Sequence, residues 1–177
     1  MIGALVVMLA CAPAWVAGAP ARFDLSVPEK WAVTRNYRLL GTDSLVLGEG
    51  NASISVTVRR DDGAGAALPL DLVASVRALS WGRRLGVENA VLGEQEIVVD
   101  GRRAAAITGV RRWRTAKIAY TLVFLRAPGR TVELVLHAPA EALEGYVATW
   151  GTFLDSFHLL LPPDPDGPPF SEDTWRR

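Results

Sequence analysis

The alternation of hydrophobic and polar positions along the chain predicts a protein built mainly from strands. Between Ala52 and Val58, Ile and Val side chains share one face while Ser and Thr side chains share the other. This is the pattern of a strand with one covered and one solvated face. Apolar or alternating runs bounded by turn residues predict strands at Phe23–Val27, Ser44–Leu47, Ala52–Val58, Val91–Val99, Arg102–Trp113, Lys117–Arg126 and Thr131–Ala138.

Turn signals between these strands predict antiparallel hairpins. A Gly-rich turn at 48–51 joins the second and third strands. Asp100-Gly101 is typical of a type I′ turn, and Pro128-Gly129 predicts another tight turn. The run Ile118–Leu125 is apolar on both faces, so we expect this strand to lie inside the sheet with both faces covered.

Two helices are predicted from hydrophobic residues at helical spacing, at about Pro69–Trp81 and about Ala140–Phe157. The first is expected to pack through the stripe Leu72, Val73, Val76 and Leu79. The second is expected to pack through Leu143, Tyr146, Val147, Trp150, Phe153, Leu154 and Phe157. Two helices and a mostly antiparallel sheet covered on both faces predict an α+β fold of the α/β/α sandwich type.

One folded domain is expected over residues 23–160, since 177 residues suffice for one substantial core. The segment 161–177 is Pro-rich, acidic and without periodicity, which predicts a disordered tail. The 19 basic and 19 acidic side chains balance. A chain without net charge has no overall field to attract nucleic acid, so we expect no nucleic-acid partner.

The N-terminal residues 1–21 are interpreted as an export signal. No charged side chain occurs from Ile2 to Ala21, and only the first part of this run is strongly hydrophobic, as in a short signal core. Met8-Leu9-Ala10-Cys11 resembles a bacterial lipobox, whose cysteine receives diacylglycerol and becomes the mature N-terminus. Cys11 is the only cysteine, so the chain has no internal disulfide and no cysteine-based metal site.

Two alternatives to lipidation of Cys11 stay open. A peptidase could cleave after Ala19-Pro20-Ala21, which would leave a soluble exported protein, or the run could persist as an uncleaved anchor. All three interpretations place the domain outside the cytoplasm. We expect a lipid-anchored protein of the bacterial cell envelope that faces the periplasm, with the choice of inner or outer membrane open.

Several segments resemble the PsbP/Mog/DcrB-like superfamily. Phe23–Trp31 is similar to its opening pattern F-x-L-x-V-P-x-x-W, and the resemblance extends to the hairpin at Val99–Arg102, the apolar strand at 118–125 and the helix end Leu154–Phe157. It covers most of residues 23–160 and implies an antiparallel sheet between helices. Members of the superfamily mostly bind proteins and share no catalytic residues, so the resemblance assigns no site residue.

Motifs for catalysis, metal binding or cofactor binding are missing from the sequence. The two histidines, His137 and His158, have no second ligand at metal-binding spacing. There is no G-x-S-x-G nucleophile motif, and the Gly-rich turns lack the lysine of a phosphate-binding loop. We therefore expect no enzyme activity, no cofactor and no metal.

The richest polar feature is a cationic set at the ends of the later strands, formed by Arg102, Arg103, Arg111, Arg112, Arg114, Lys117, Arg126 and Arg130. Within it, Trp113 flanked by Arg111, Arg112 and Arg114 is the candidate partner-binding site, because aromatic residues and arginine dominate binding hot spots. The alternative is that these charges deter edge-to-edge pairing and form surface pairs, some with Glu94, Glu96 and Glu133.

The sequence thus predicts a non-catalytic adaptor or assembly factor that binds an unknown envelope protein. A carrier or sensor of a small apolar or lipid ligand, held between sheet and helix, is the alternative. An unrecognised hydrolase that depends on His137 or His158 is the least favoured hypothesis.

Overall fold

The computed structural model describes residues 23–39, 42–60, 68–85 and 88–160. The signal segment with Cys11 and the tail 161–177 lie outside the described residues, so the hypotheses about them stay predictions.

Seven antiparallel strands form one large sheet, in the spatial order β2-β3-β4-β8-β7-β6-β5. A separate two-stranded ribbon pairs β1 with β9. The strands are β1 Phe23–Asp24, β2 Ala32–Leu39, β3 Thr42–Glu49, β4 Ala52–Arg60, β5 Glu88–Val99, β6 Arg102–Trp113, β7 Ala116–Ala127, β8 Arg130–Pro139 and β9 His158–Leu159. The predicted α+β class and the hairpin order β5 to β8 are confirmed.

The edge strand β2 was not predicted from the sequence. Residues 32–37 are all exposed, so this strand shows no alternation between buried and solvated positions. The turn at Asp100-Gly101 does match its prediction, because both residues have positive φ, 51° and 70°, as a type I′ turn requires.

In the first helix, α1 Leu70–Leu85, only Val73 of the predicted packing stripe contacts the core, and the other three residues were wrongly included. Leu72, Val76 and Leu79 are 47%, 58% and 49% exposed. The helix instead packs through Ala74 and Ala78, which are fully buried. Small side chains let the helix backbone lie close to the sheet, and the flanking residues Leu70, Val73 and Trp81 fill the space at the sides of the contact.

The second helix, α2 Val147–Ser156, is shorter than predicted and follows a 3₁₀ turn at Leu143–Tyr146. Of the predicted stripe, Trp150, Phe153 and Phe157 are buried, while Val147 is 59% exposed and was wrongly included. Val147 is the first residue of the α-helix after the 3₁₀ turn, and a stripe spaced at 3.6 residues per turn does not continue across a turn with 3.0 residues.

Two apolar cores lie on opposite faces of the sheet. The core on the α2 face contains Leu125, Leu134 and Phe153, while the core on the α1 face contains Leu122 and Phe124. Strand β7 contributes to both, which confirms that it is an interior strand covered on both sides. Its neighbour β8 is the middle strand of the seven.

A buried carboxylate attaches α1 to the sheet. Glu133 of β8 lies on the α1 face, and its oxygens are 2.9 Å from Arg77 Nε of α1 and 3.3 Å from Arg59 Nη1 of β4. Its side chain is only 8% exposed. Because buried charges need partners, this cluster fixes the position of the helix over β8 and β4.

Candidate functional site

An open cleft of about 960 Å³ lies at the end of the sheet where β6 ends and β7 begins. Most of its lining residues belong to strands β4, β6, β7 and β8, and the β3–β4 and β6–β7 turns lie at its margin. None of the described residues that line it belongs to α1 or α2, so it is not the space between sheet and helix that the carrier hypothesis requires. Its lining residues are Asn51, Ser53, Arg111, Thr115, Ala116, Lys117, Ile118, His137, Pro139 and Glu141.

Arg111 is the central charged group of this cleft. Its guanidinium carbon lies 4.5 Å from the ring centroid of Trp81 and 5.0 Å from that of Tyr120. The guanidinium therefore contacts both aromatic rings, an arrangement that stabilises a cation electrostatically. Trp81 and Tyr120 also contact each other edge to face at 5.6 Å, so the three side chains form one packed unit.

His137 completes this unit on the neighbouring strand β8. An N–H of Arg111 Nη2 donates to His137 Nε2, and the Trp81 ring lies 5.9 Å from the imidazole. Because Nε2 accepts this hydrogen bond, the imidazole is neutral with its proton on Nδ1. Burial, together with the positive charge of Arg111, lowers the pKa of His137 to about 4. At neutral pH, His137 orients the arginine and adds no charge to the cleft.

The positive charge of Arg111 has no compensating partner among the described residues. No described carboxylate lies within ion-pair distance of it, and its buried Nε has no hydrogen-bond acceptor within the described part of the chain. Burial also lowers the pKa of Arg111 from its usual value. An unsatisfied buried polar group carries a free-energy cost and is often found at a functional site.

The four residues predicted as a partner-binding site do not share one surface. Alternation along β6 places Arg111 on the α1 face and Arg112 on the α2 face, where Arg112 lies 3.7 Å from Glu88. Arg114 is exposed in the β6–β7 turn with a positive φ of 56°. Only the backbone of Trp113 is described, at the end of β6. The structure thus brings only Arg111 into the cleft.

Two aromatic contributors to the site were missed by sequence reasoning. Trp81 and Tyr120 are 30 and 9 residues from Arg111 in the chain, and they meet it only because α1 packs across β6 and β7. The one available signal was the cross-strand register, in which Tyr120 lies opposite Gly109. A large ring beside a residue without a side chain can reach across to the next position on that strand.

Three arginines of the cationic set, Arg102, Arg103 and Arg112, pair with carboxylates, as the alternative hypothesis for this set supposed. Glu96 binds Arg103 through two hydrogen bonds, Arg102 lies 2.8 Å from Asp100, and Glu133 pairs with Arg59 and Arg77 outside the predicted set. Glu94 accepts a hydrogen bond from Ser75 instead.

His158 is remote from the cleft. Its Nδ1 lies 3.1 Å from Asp100 Oδ1, beside the turn between β5 and β6, and its side chain is largely exposed. Asp100 also accepts a hydrogen bond from the backbone N–H of Leu159. This histidine therefore helps to hold the β1–β9 ribbon against the sheet.

Within the described residues, no three His, Cys, Asp or Glu side chains come close enough to hold a metal ion. The helices of the described part of the chain also lack the length and hydropathy needed to cross a membrane.

Comparisons with known proteins establish the fold. Neither a known protein family nor a curated protein matches the sequence. The solution structure of cyanobacterial PsbP (CyanoP) from Synechocystis matches with a TM-score of 0.64 and 10% identity, covering 89% of this chain and 98% of that one. The Ran-binding protein Mog1p of Saccharomyces cerevisiae matches with a TM-score of 0.57 and 11% identity, covering 84% and 96%.

A protein of unknown function from Pseudomonas aeruginosa matches with a TM-score of 0.51 and 18% identity, covering 80% of this chain and 92% of that one. The chain therefore has the fold shared by PsbP and Mog1, as the resemblance in residues 23–160 implied. At these identities the likeness concerns the fold alone.

Proposed function

We propose that this protein is an exported, lipid-anchored envelope protein that binds a partner protein through the Arg111 cleft and catalyses no reaction. The observation that carries the proposal is the positive charge of Arg111. Two aromatic rings and a histidine orient its guanidinium, and no carboxylate among the described residues pairs with it. A group held in this way is prepared for a contact that the chain itself does not make.

The arrangement around His137 argues against a hydrolase. Ser53 and His137 are direct cross-strand partners in the cleft, so a serine and a potential base are adjacent. However, the Nε2 lone pair of His137 already accepts a hydrogen bond from Arg111, and the pKa of about 4 makes this imidazole a weak base at neutral pH. No described carboxylate pairs with His137, whereas a catalytic triad requires such a group to orient its histidine.

The proposed location is supported by the N-terminal sequence. The uncharged run up to Ala21 has the composition of an export signal, and Cys11 supplies the thiol that lipidation needs. The proposed binding role is consistent with the description of Mog1p, a protein of the same fold, as a Ran-binding protein.

Photo-cross-linking in intact cells tests the binding role. A photoreactive amino acid at Thr115, exposed at the cleft, should give a discrete adduct with one protein. The same amino acid at Thr152, exposed on α2 on the other side of the sheet, provides the matched control. No adduct from Thr115, or the same adduct from both positions, would contradict the proposal.

A further inference from the structure

Among the described residues that line the cleft, Arg111 is the cation presented on the α1 face. The other charged lining residues are Lys117 and Glu141, but Lys117 lies directly opposite Arg112, so alternation places its side chain on the α2 face. His137 is neutral at physiological pH. A ligand group with a single negative charge therefore matches the single charge of Arg111, whereas a phosphate dianion would bring a second negative charge close to Glu141, which disfavours it.

Arg111 differs from five other arginines of the described chain, each of which has a carboxylate partner within it. The pairs are Arg59–Glu133, Arg77–Glu133, Arg102–Asp100, Arg103–Glu96 and Arg112–Glu88. Since the described residues offer no such carboxylate to Arg111, an incoming carboxylate would not need to displace one.

We propose that the cleft binds the carboxylate of an acidic side chain on the partner protein, with Arg111 as the anchoring cation. This inference rests on the proposed binding function and names the chemistry that the site recognises. The planar guanidinium suits a carboxylate, and its contacts with Trp81, Tyr120 and His137 reduce the side-chain entropy lost on binding.

The rest of the lining fits an acidic side chain within a polypeptide. Ile118, Ala116 and Pro139 provide apolar surface for the methylene groups and neighbouring side chains of the ligand. Asn51 and Thr115 lie at the margin, in turns at the end of the sheet, and can hydrogen-bond to a passing backbone. A cleft that opens at the end of the sheet lets a chain segment pass across it, so the ligand need not be a chain terminus.

Capped peptides test this chemistry on the full-length protein, followed by NMR titration. The first probe is acetyl-Ala-Leu-Glu-Leu-Ala-amide, and the second has Gln in place of Glu. We expect saturable binding of the Glu peptide, with shifts at the backbone amides of Arg111 and Thr115, and at least tenfold weaker binding of the Gln peptide. Equal affinity for the two peptides, or no binding of either, would overturn the inference.

Two further probes separate other sources of negative charge. The Gln peptide with a free C-terminus tests a terminal carboxylate, and inorganic phosphate tests a free anion. Both should bind more weakly than the Glu peptide. Stronger binding of the first would reassign the site to a chain terminus, and stronger binding of phosphate would reassign it to phosphate, so either result would overturn the inference.

Substitutions test the role of Arg111 in this binding. Arg111→Met should weaken binding of the Glu peptide at least tenfold while circular dichroism stays unchanged. Arg103→Met, on the same face of β6 but at its other end, should bind as the wild type does. Arg111→Lys keeps the charge without the planar fork, and we expect several-fold weaker binding. Wild-type affinity for the Glu peptide in both Arg111 variants would overturn the assignment of Arg111 as the anchoring cation. If Arg111→Met does not fold, the affinity of Arg111→Lys alone decides the assignment.

The two proposals can fail separately. If Thr115 yields the partner adduct but the Glu peptide does not bind, the protein-binding function stands and the carboxylate chemistry is wrong. If the Glu peptide binds and Thr115 yields no adduct, the carboxylate site stands and the protein-binding function is wrong.

Discussion

Tyr120 and Gly109 are direct cross-strand partners, and the Tyr120 ring occupies the place where a side chain of residue 109 would lie. A Cβ atom at position 109 would be 2.5 Å from Tyr120 Cζ and 2.7 Å from the carbonyl oxygen of Ala90. The absence of a side chain at position 109 thus leaves the space that the Tyr120 ring occupies, with its centroid 5.0 Å from the guanidinium carbon of Arg111. Burial raises the pKa of the Tyr120 phenol.

Gly109→Ala should destabilise the protein by about 1–3 kcal/mol, because backbone and ring must both shift to admit the methyl group. Urea unfolding measures the change. Gly93→Ala on β5 is the matched control, since no atom lies within 4 Å of its added Cβ, and we expect a change within about 0.5 kcal/mol. Equal stability of the two variants would show that the ring does not occupy the described position.

His137 should make stability depend on pH between about 6.5 and about 4. The unfolded chain binds a proton on this histidine near the ordinary histidine pKa of 6.5, whereas the folded chain binds it only near pH 4. Unfolding therefore takes up a proton in this window, and stability falls as the pH falls through it, by about 3 kcal/mol in total. Urea unfolding at several pH values measures this slope.

His137→Gln should flatten that slope, since glutamine can accept the hydrogen bond from Arg111 and does not titrate. His158→Gln, which alters the remote histidine beside Asp100, should leave the His137 contribution in place. An unchanged slope in the His137 variant would contradict the buried, neutral imidazole.

Glu133→Gln should lower the free energy of unfolding by about 2 kcal/mol, because it removes the charge that binds Arg59 and Arg77 in a buried position. The control Glu96→Gln breaks an exposed pair with Arg103 and should cost no more than about 1 kcal/mol. Thermal and urea unfolding compare the two variants. If Glu96→Gln lowered the free energy of unfolding more than Glu133→Gln does, the ion pairs of Glu133 would not be the contacts that attach α1 to the sheet.

Mass spectrometry of the mature N-terminus should find Cys11 as the first residue, carrying acyl groups. Cys11→Ser removes the thiol and should move the protein from the membrane fraction to the soluble fraction. A mature protein that begins with an unmodified Arg22 would favour cleavage after Ala21 and contradict the lipid anchor.

The fold was predictable from the sequence because hairpins with tight turns and an interior strand leave strong local patterns. The edge strand β2 was not predictable, because its exposed residues bury no face. For α1, two stripes compete in the same sixteen residues. The larger side chains of Leu72, Val76 and Leu79 led to the wrong stripe being predicted. The helix packs on the sheet through the small side chains of Ala74 and Ala78.

The candidate site was predictable only in part. Arg111 stood out as one of several charged residues around Trp113, but no local pattern ranked it above its neighbours. Alternation along β6 separates Arg111 from Arg112, and the partners of Arg111 come from α1, β7 and β8. Such long-range contacts leave no local signal in the sequence.

Contact between Arg111 and the partner protein is tested by combining cross-linking and substitution on one chain. The photoreactive amino acid at Thr115 is used with either Arg111 or Met at position 111, and the yield of the partner adduct is compared in intact cells at equal protein levels. We expect the adduct to form with Arg111 and to be lost with Arg111→Met. An equal yield from the two chains would show that Arg111 does not hold the partner.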